Sequence, residues 1–192
     1  YMRFTNYGGE QVKILFISAA NKNFDGRTRA LLDVINSFAD VIDITTTHEA
    51  DCVEGSSYYV NYKSYKEFIR KAVEIGKGHG DADFIFADNR KATVPALKLS
   101  RLIKPKAVIY DARELYLQRE THGFASKIGC FFESRMIAKA ALTVCANEER
   151  KQVMEKEYGK IGTILVFENF RKLSYSKDFS EEAMNMKFDY LN

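Results

Sequence analysis

Asp111, Arg113 and Glu114 close the segment VIYDARELY, Val108 to Tyr116, in which a short apolar run ends abruptly in charge. A buried parallel strand reads as a continuous apolar run, and ligands of open α/β sheets bind just beyond the carboxyl ends of such strands. The three charged residues are therefore expected at the mouth of a cleft. Arg beside Glu supports two arrangements: an internal ion pair, or a guanidinium that clamps a phosphate with the carboxylate as its support. Asp111 or Glu114 could act as a general base where its pKa is raised.

Polar residues recur in the same kind of position. Asp88, Asn89 and Arg90 follow FIFA, Asn147 follows LTVCA, and Asn169 lies just past TILVF. Each alone could be a cap or turn residue. Their recurrence at successive strand ends points to a site, because this architecture assembles sites from several strand ends. The loop AANKNFDGR after the first apolar run has neither G-x-G-x-x-G nor G-x-x-x-x-G-K-[ST], so the usual dinucleotide and triphosphate cradles are missing. Asn21, Asp25, Gly26 and Arg27, with the free amides of the following helix, could hold a phosphate or hydroxyl; Asp-Gly is equally a common turn.

The elements that position these residues alternate in type. Strands are expected at VKILFIS (Val12 to Ser18), VIDIT (Val41 to Thr45), Phe84 to Ala87, AVIYD (Ala107 to Asp111), Leu142 to Ala146 and Thr163 to Phe167. Helical spacing runs through Ala30, Leu31, Val34, Ile35 and Phe38 with Thr28 as cap, from about Ser64 to Ile75 with Gly76 or Gly78 as stop, and from Val94 to Leu102 with Pro95 in its first turn. It resumes from Ala125 to Ala140 and from a cap at Asn147 to Tyr158, where Gly159 is the stop. The polar, Gly- and Ser-containing stretch that follows VIDIT, up to Asn61, reads as a long loop. Strand and helix in alternation predict a doubly wound, mostly parallel α/β sheet with helices on both faces.

Composition narrows the function classes. A chain of 192 residues with 46% hydrophobic and 13% aromatic residues can build a packed core. No run approaches the roughly 20 apolar residues needed to span a bilayer, and the start resembles no signal peptide, so a cytoplasmic protein is expected. Cys52, Cys130 and Cys145 form no Cys-x-x-Cys pair, and His48, His79 and His122 are scattered, which argues against a disulfide framework or metal site. Net charge is +3, without the strongly basic footprint of a nucleic-acid binder. Arg90, Lys91, Lys98, Arg101, Lys104 and Lys106 nevertheless form a run without acids, either a solvated face or a peripheral contact with anionic lipid or phosphorylated substrate. The segment Phe124 to Ala140 places Ile128, Phe131, Phe132 and Met136 on one broad face, as either a sheet-covering or a membrane-interface helix would.

In the order VKILFIS, YDARELY, ALTVCANEERKQVMEKEYG and TILVFENF, the chain resembles the N-terminal, acceptor-side domain of GT-B glycosyltransferases, in particular the retaining "glycosyl transferase four-like" family. The resemblance runs from Val12 to about Phe170. It implies a Rossmann-like acceptor-binding domain over 12–173, an extension over 1–11, and a linker over 174–192 toward a C-terminal domain that binds the nucleotide-sugar donor. It implies a sugar or glycolipid acceptor, as in surface or capsular polysaccharide synthesis, no cofactor besides the donor, and no metal. Arg113, Glu114 and Asp111 take the catalytic positions; Asn21, Asp25, Gly26, Arg27, Asp88, Asn89, Asn147 and Asn169 line the substrate cleft. Many relatives carry a histidine where Arg113 stands. A stand-alone ligand-binding module with the same cleft is the alternative, and an NAD-dependent enzyme is disfavoured by the absent glycine fingerprint.

Overall fold

The alternation becomes one eight-stranded sheet in a computed structural model, which describes residues 11–114, 123–159 and 162–168. The strands are β1 (Lys13–Ser18), β2 (Asp40–Thr46), β3 (Cys52–Glu54), β4 (Ser57–Val60), β5 (Phe84–Asp88), β6 (Ala107–Ala112), β7 (Leu142–Cys145) and β8 (Thr163–Val166). The helices are α1 (Gly26–Asn36), α2 (Tyr65–Lys77), α3 (Thr93–Leu102), α4 (Phe124–Lys139) and α5 (Glu148–Tyr158). Strand order is β3-β4-β2-β1-β5-β6-β7-β8, parallel except where β3 runs against β4. Asn169 and the expected linker lie outside the described residues.

Both faces of the sheet are covered, which is why the central strands are apolar throughout. Leu31, Leu32 and Ile35 of α1 pack on Ile14, Phe16, Val41 and Phe86. On the other face Phe68 and Ala72 of α2, Ala96 and Leu99 of α3, Met136 and Ile137 of α4, and Met154 of α5 pack on Leu15, Ile17, Ile85, Val108 and Tyr110. Side chains alternate between faces along a strand, so neighbours such as Leu15 and Phe16 both end in core.

Three expectations change. The stretch read as a loop holds the β3–β4 hairpin, with Gly55 at φ +59 in its turn. β3 is fully exposed and β4 is buried only at Val60, so no hydrophobic alternation marks them. The cap of α1 is Asp25, whose side chain accepts from the Thr28 amide; Thr28 is instead a buried residue of the first turn. In α4, Phe131 and Ile128 face solvent while Cys130, Glu133, Met136 and Ile137 are buried, so the aromatic face does not cover the sheet. Elsewhere the sequence boundaries hold within a residue or two: Ser64 caps α2, Gly78 ends it, and Asn147 caps α5.

Candidate functional site at the carboxyl edge of the sheet

β1 has β2 on one side and β5 on the other, and the chain winds in opposite senses from that point. Such a switch point leaves a crevice beyond the strand ends. Here Ser18 and Asp88, the last residues of β1 and β5, and Asp111, one residue before the end of β6, lie in register across three strands. All three are buried, so their polar groups must be satisfied internally.

Two arginines satisfy the acids. Arg113, one residue past β6, sends Nε to Asp88 Oδ1 and Nη2 to Asp88 Oδ2, both at 2.8 Å. Its Nη1 donates to Asp25 Oδ2 at 2.6 Å, and Nη2 also reaches the Thr28 hydroxyl. Arg27, on the first turn of α1, makes the same kind of fork on Asp111, with Nε to Oδ2 at 2.8 Å and Nη2 to Oδ1 at 2.6 Å. Its Nη1 donates to the Phe167 carbonyl at 2.9 Å. Ser18 and Thr28 hydroxyls complete the Asp88 shell at 2.7 and 2.8 Å. Planar forks of this type suit guanidinium against carboxylate.

Electrostatics follow the burial. Loss of solvent pushes the Asp88 carboxyl up, with the nearby Asp111 adding to the shift and Arg113 opposing it. Partial burial pushes Asp25 up as well, but Arg113 and the Thr28 amide outweigh it and hold that carboxyl below its ordinary range. Burial lowers the Arg113 pKa and the facing Asp88 and Asp25 more than restore it. Three carboxylates thus face two guanidiniums at one sheet edge.

Around this buried cluster lies a partly exposed rim. Asn21 shapes the β1–α1 loop: its carbonyl accepts from the Phe24 and Asp25 amides, and its side chain from the Asn23 amide at 3.0 Å. Gly26 opens α1, and a side chain there would meet open space. Asn89 has φ 71 and ψ 164, a region that is essentially glycine's own, and its Oδ1 accepts from the Arg90 amide at 2.5 Å. Glu114 is exposed, and Asn147 caps α5 through the Arg150 amide at 2.9 Å.

The expected site residues thus fall into two layers. Arg27, Asp88 and Asp111 form a buried frame, and Asn21, Asp25, Gly26, Asn89, Arg113, Glu114 and Asn147 stand in the rim. Sequence reasoning missed Ser18 and the role of Thr28; a lone Ser at a strand end and a Thr in a first helical turn carry no signal of a partner 60 or more positions away. It also missed Glu133. That carboxyl is buried on the sheet side of α4, accepts from Tyr110 Oη at 2.6 Å, and has no hydrogen-bond partner for its second oxygen among the described residues.

No family model matches the chain, and no curated protein sequence matches it. Among solved structures it is similar to a sucrose-phosphate synthase chain from Thermosynechococcus elongatus, with TM-score 0.61 and 13% identity over 93% of this chain and 96% of that one. It is similar to HepE from Anabaena, in complex with UDP and glucose, with TM-score 0.59 and 13% identity over 92% of this chain and 50% of that one. A putative UDP-N-acetylglucosamine 2-epimerase from Listeria monocytogenes gives TM-score 0.57 and 8% identity over 81% of this chain and 44% of that one. The fold is that of a GT-B Rossmann-like domain. This chain spans about half the length of HepE and of the epimerase.

Proposed function

We propose that the chain is the N-terminal, acceptor-side domain of a retaining glycosyltransferase that moves a sugar from a nucleotide-sugar to a polysaccharide or glycolipid acceptor in the cytoplasm. The observation that carries this reading is the braced carboxyl edge at the β1/β5 switch point, a rigid polar wall where this architecture places its ligands. HepE, half of which this chain spans, holds UDP and glucose, which supports a nucleotide-sugar as the donor.

In this reading Asp111 and Arg113 position the wall, while Glu114, Asn21, Asn89, Asn147 and the Gly26 amide meet the acceptor. Asp25 and Arg27 hold the β1–α1 loop against that wall, Asp88 anchors it, and Asn169 remains a candidate from its sequence position alone. A second domain downstream supplies most of the grip on the nucleotide-sugar, and neither a metal nor another cofactor takes part.

One observation favours a second reading, ligand binding without chemistry: Asp88 and Asp111 are buried, and each Arg113 nitrogen already meets a carboxylate. Titration calorimetry separates the two. The protein extended by its downstream sequence is expected to bind a nucleotide-sugar, with affinity lost when that sequence is removed; no nucleotide-sugar binding by the extended protein would favour the binding module.

A further inference from the structure

We infer that the groove between α3 and α4, with the exposed face of α4 beside it, is a docking surface for an anionic lipid bilayer. The groove encloses about 450 Å³ and is lined by Lys98, Arg101, Arg135 and Lys139 over a floor that includes Val94 and Phe132. No carboxylate lines it among the described residues. The single acid on either helix is Glu133, which is buried on the opposite side of α4.

Helical spacing places apolar and basic groups on one face of α4. Phe124, Ile128, Phe131, Arg135 and Lys139 recur at intervals of three and four, and the first three are 82%, 42% and 50% exposed. A contiguous exposed apolar set on a folded domain marks an interaction surface. Cations interleaved with apolar residues match the interface between acyl chains and anionic headgroups. Arg135 lies 4.8 Å over the Phe131 ring, so the cation and the aromatic present together.

The surface differs from the basic run visible in sequence. Arg90 packs against α4, its guanidinium about 3 Å from where a Cβ on Gly129 would stand, and Lys106 pairs with Asp83 at 2.7 Å on the amino edge of the sheet. Lys98 and Arg101 remain from that run, and Arg135 and Lys139 join them from α4. Phe124 stands at the N-terminal end of α4, which follows β6, so the surface adjoins the same sheet edge as Arg113.

The test is co-sedimentation of the full chain with phosphatidylcholine vesicles, with and without phosphatidylglycerol. Binding is expected to require phosphatidylglycerol and to weaken with salt. Each cation at such a surface is worth roughly fivefold, so Arg135→Glu with Lys139→Glu should weaken binding by more than about tenfold. Arg29→Glu with Lys156→Glu, the same charge change off these helices, should leave it unchanged. Phe124→Ser with Phe131→Ser should abolish the component that survives high salt. Equal binding to both vesicle types, or undiminished binding by the α4 charge variant, overturns the inference. So does a lipid-free dimer, seen in sedimentation velocity, that Phe124→Ser with Phe131→Ser dissociates, since a second copy would then cover the face. The readout is binding alone and is independent of sugar transfer.

Discussion

Arg113 and Asp88 form a two-pronged pair, both prongs 2.8 Å, that ties the end of β6 to the end of β5 across their shared register. Asp88 is fully buried and the Arg113 side chain is 12% exposed, so the pair works largely out of solvent. Replacing both members of a buried pair can be nearly neutral, whereas removing one leaves an uncompensated charge.

Arg113→Ala should therefore cost about 3–5 kcal/mol of stability. Arg113→Met combined with Asp88→Asn should cost less than the two single changes added together, with a coupling of about 1 kcal/mol or more. Urea unfolding of the native sequence, the two single variants and the double variant measures this. Additive effects would mean that the two side chains do not depend on one another.

Asp25 has two tasks, capping α1 at the Thr28 amide and meeting Arg113. Asp25→Ala should lower stability by about 1–2 kcal/mol, the usual scale for a lost cap. Asp25→Asn keeps an accepting oxygen for the cap and should recover part of that loss. Thermal unfolding distinguishes them; equal losses would place the whole effect on the charge.

Asn89 holds a backbone conformation with φ 71 and ψ 164 that costs a non-glycine residue on the order of 1–3 kcal/mol. Asn89→Gly should stabilise the domain by about 1 kcal/mol, while Asn89→Ala destabilises it. If the side chain meets acceptor, the glycine variant is more stable and binds less well. Paired unfolding and binding titrations check both halves.

Glu133 provides a pH dependence. Burial pushes its carboxyl up to about 7, against the Tyr110 hydrogen bond and Arg90, with Glu114 adding to the rise. The native state thus holds a proton that the unfolded chain releases near its ordinary value of 4.5. Its contribution is complete below that value, falls as pH rises through about 7, and is gone above it, a loss of about 3 kcal/mol. Subtracting the stability curve of Glu133→Gln from that of the native sequence, between pH 5 and pH 8, isolates this slope. A flat difference would show that Glu133 titrates normally.

Much of this was legible in sequence because parallel strands buried on both faces leave apolar runs, as VKILFIS and AVIYD do. Asn147 and Gly159 marked α5 because caps act locally. The β3–β4 hairpin was not legible, since its strands lie at the exposed edge and carry no period. In α4 the aromatic residues suggested a core face, yet the sheet side is taken by Glu133 on Tyr110 and by Cys130, Met136 and Ile137. The strand-end row of Asp88, Asp111 and Arg113 was visible, but its organisation into a frame needed Arg27 and Asp111, 84 positions apart.

In the proposed function, the wall braced by Arg113 belongs to a sugar-transfer site. Incubating the protein, extended by its downstream sequence, with labelled nucleotide-sugars and membrane or polysaccharide acceptors, and counting label in product, puts that role to the test. Incorporation by the native sequence is expected, falling by about a hundredfold in a folded Arg113→Lys variant, since a fork replaced by a point charge misplaces the wall. No incorporation from any nucleotide-sugar, or full incorporation by Arg113→Lys, would contradict it.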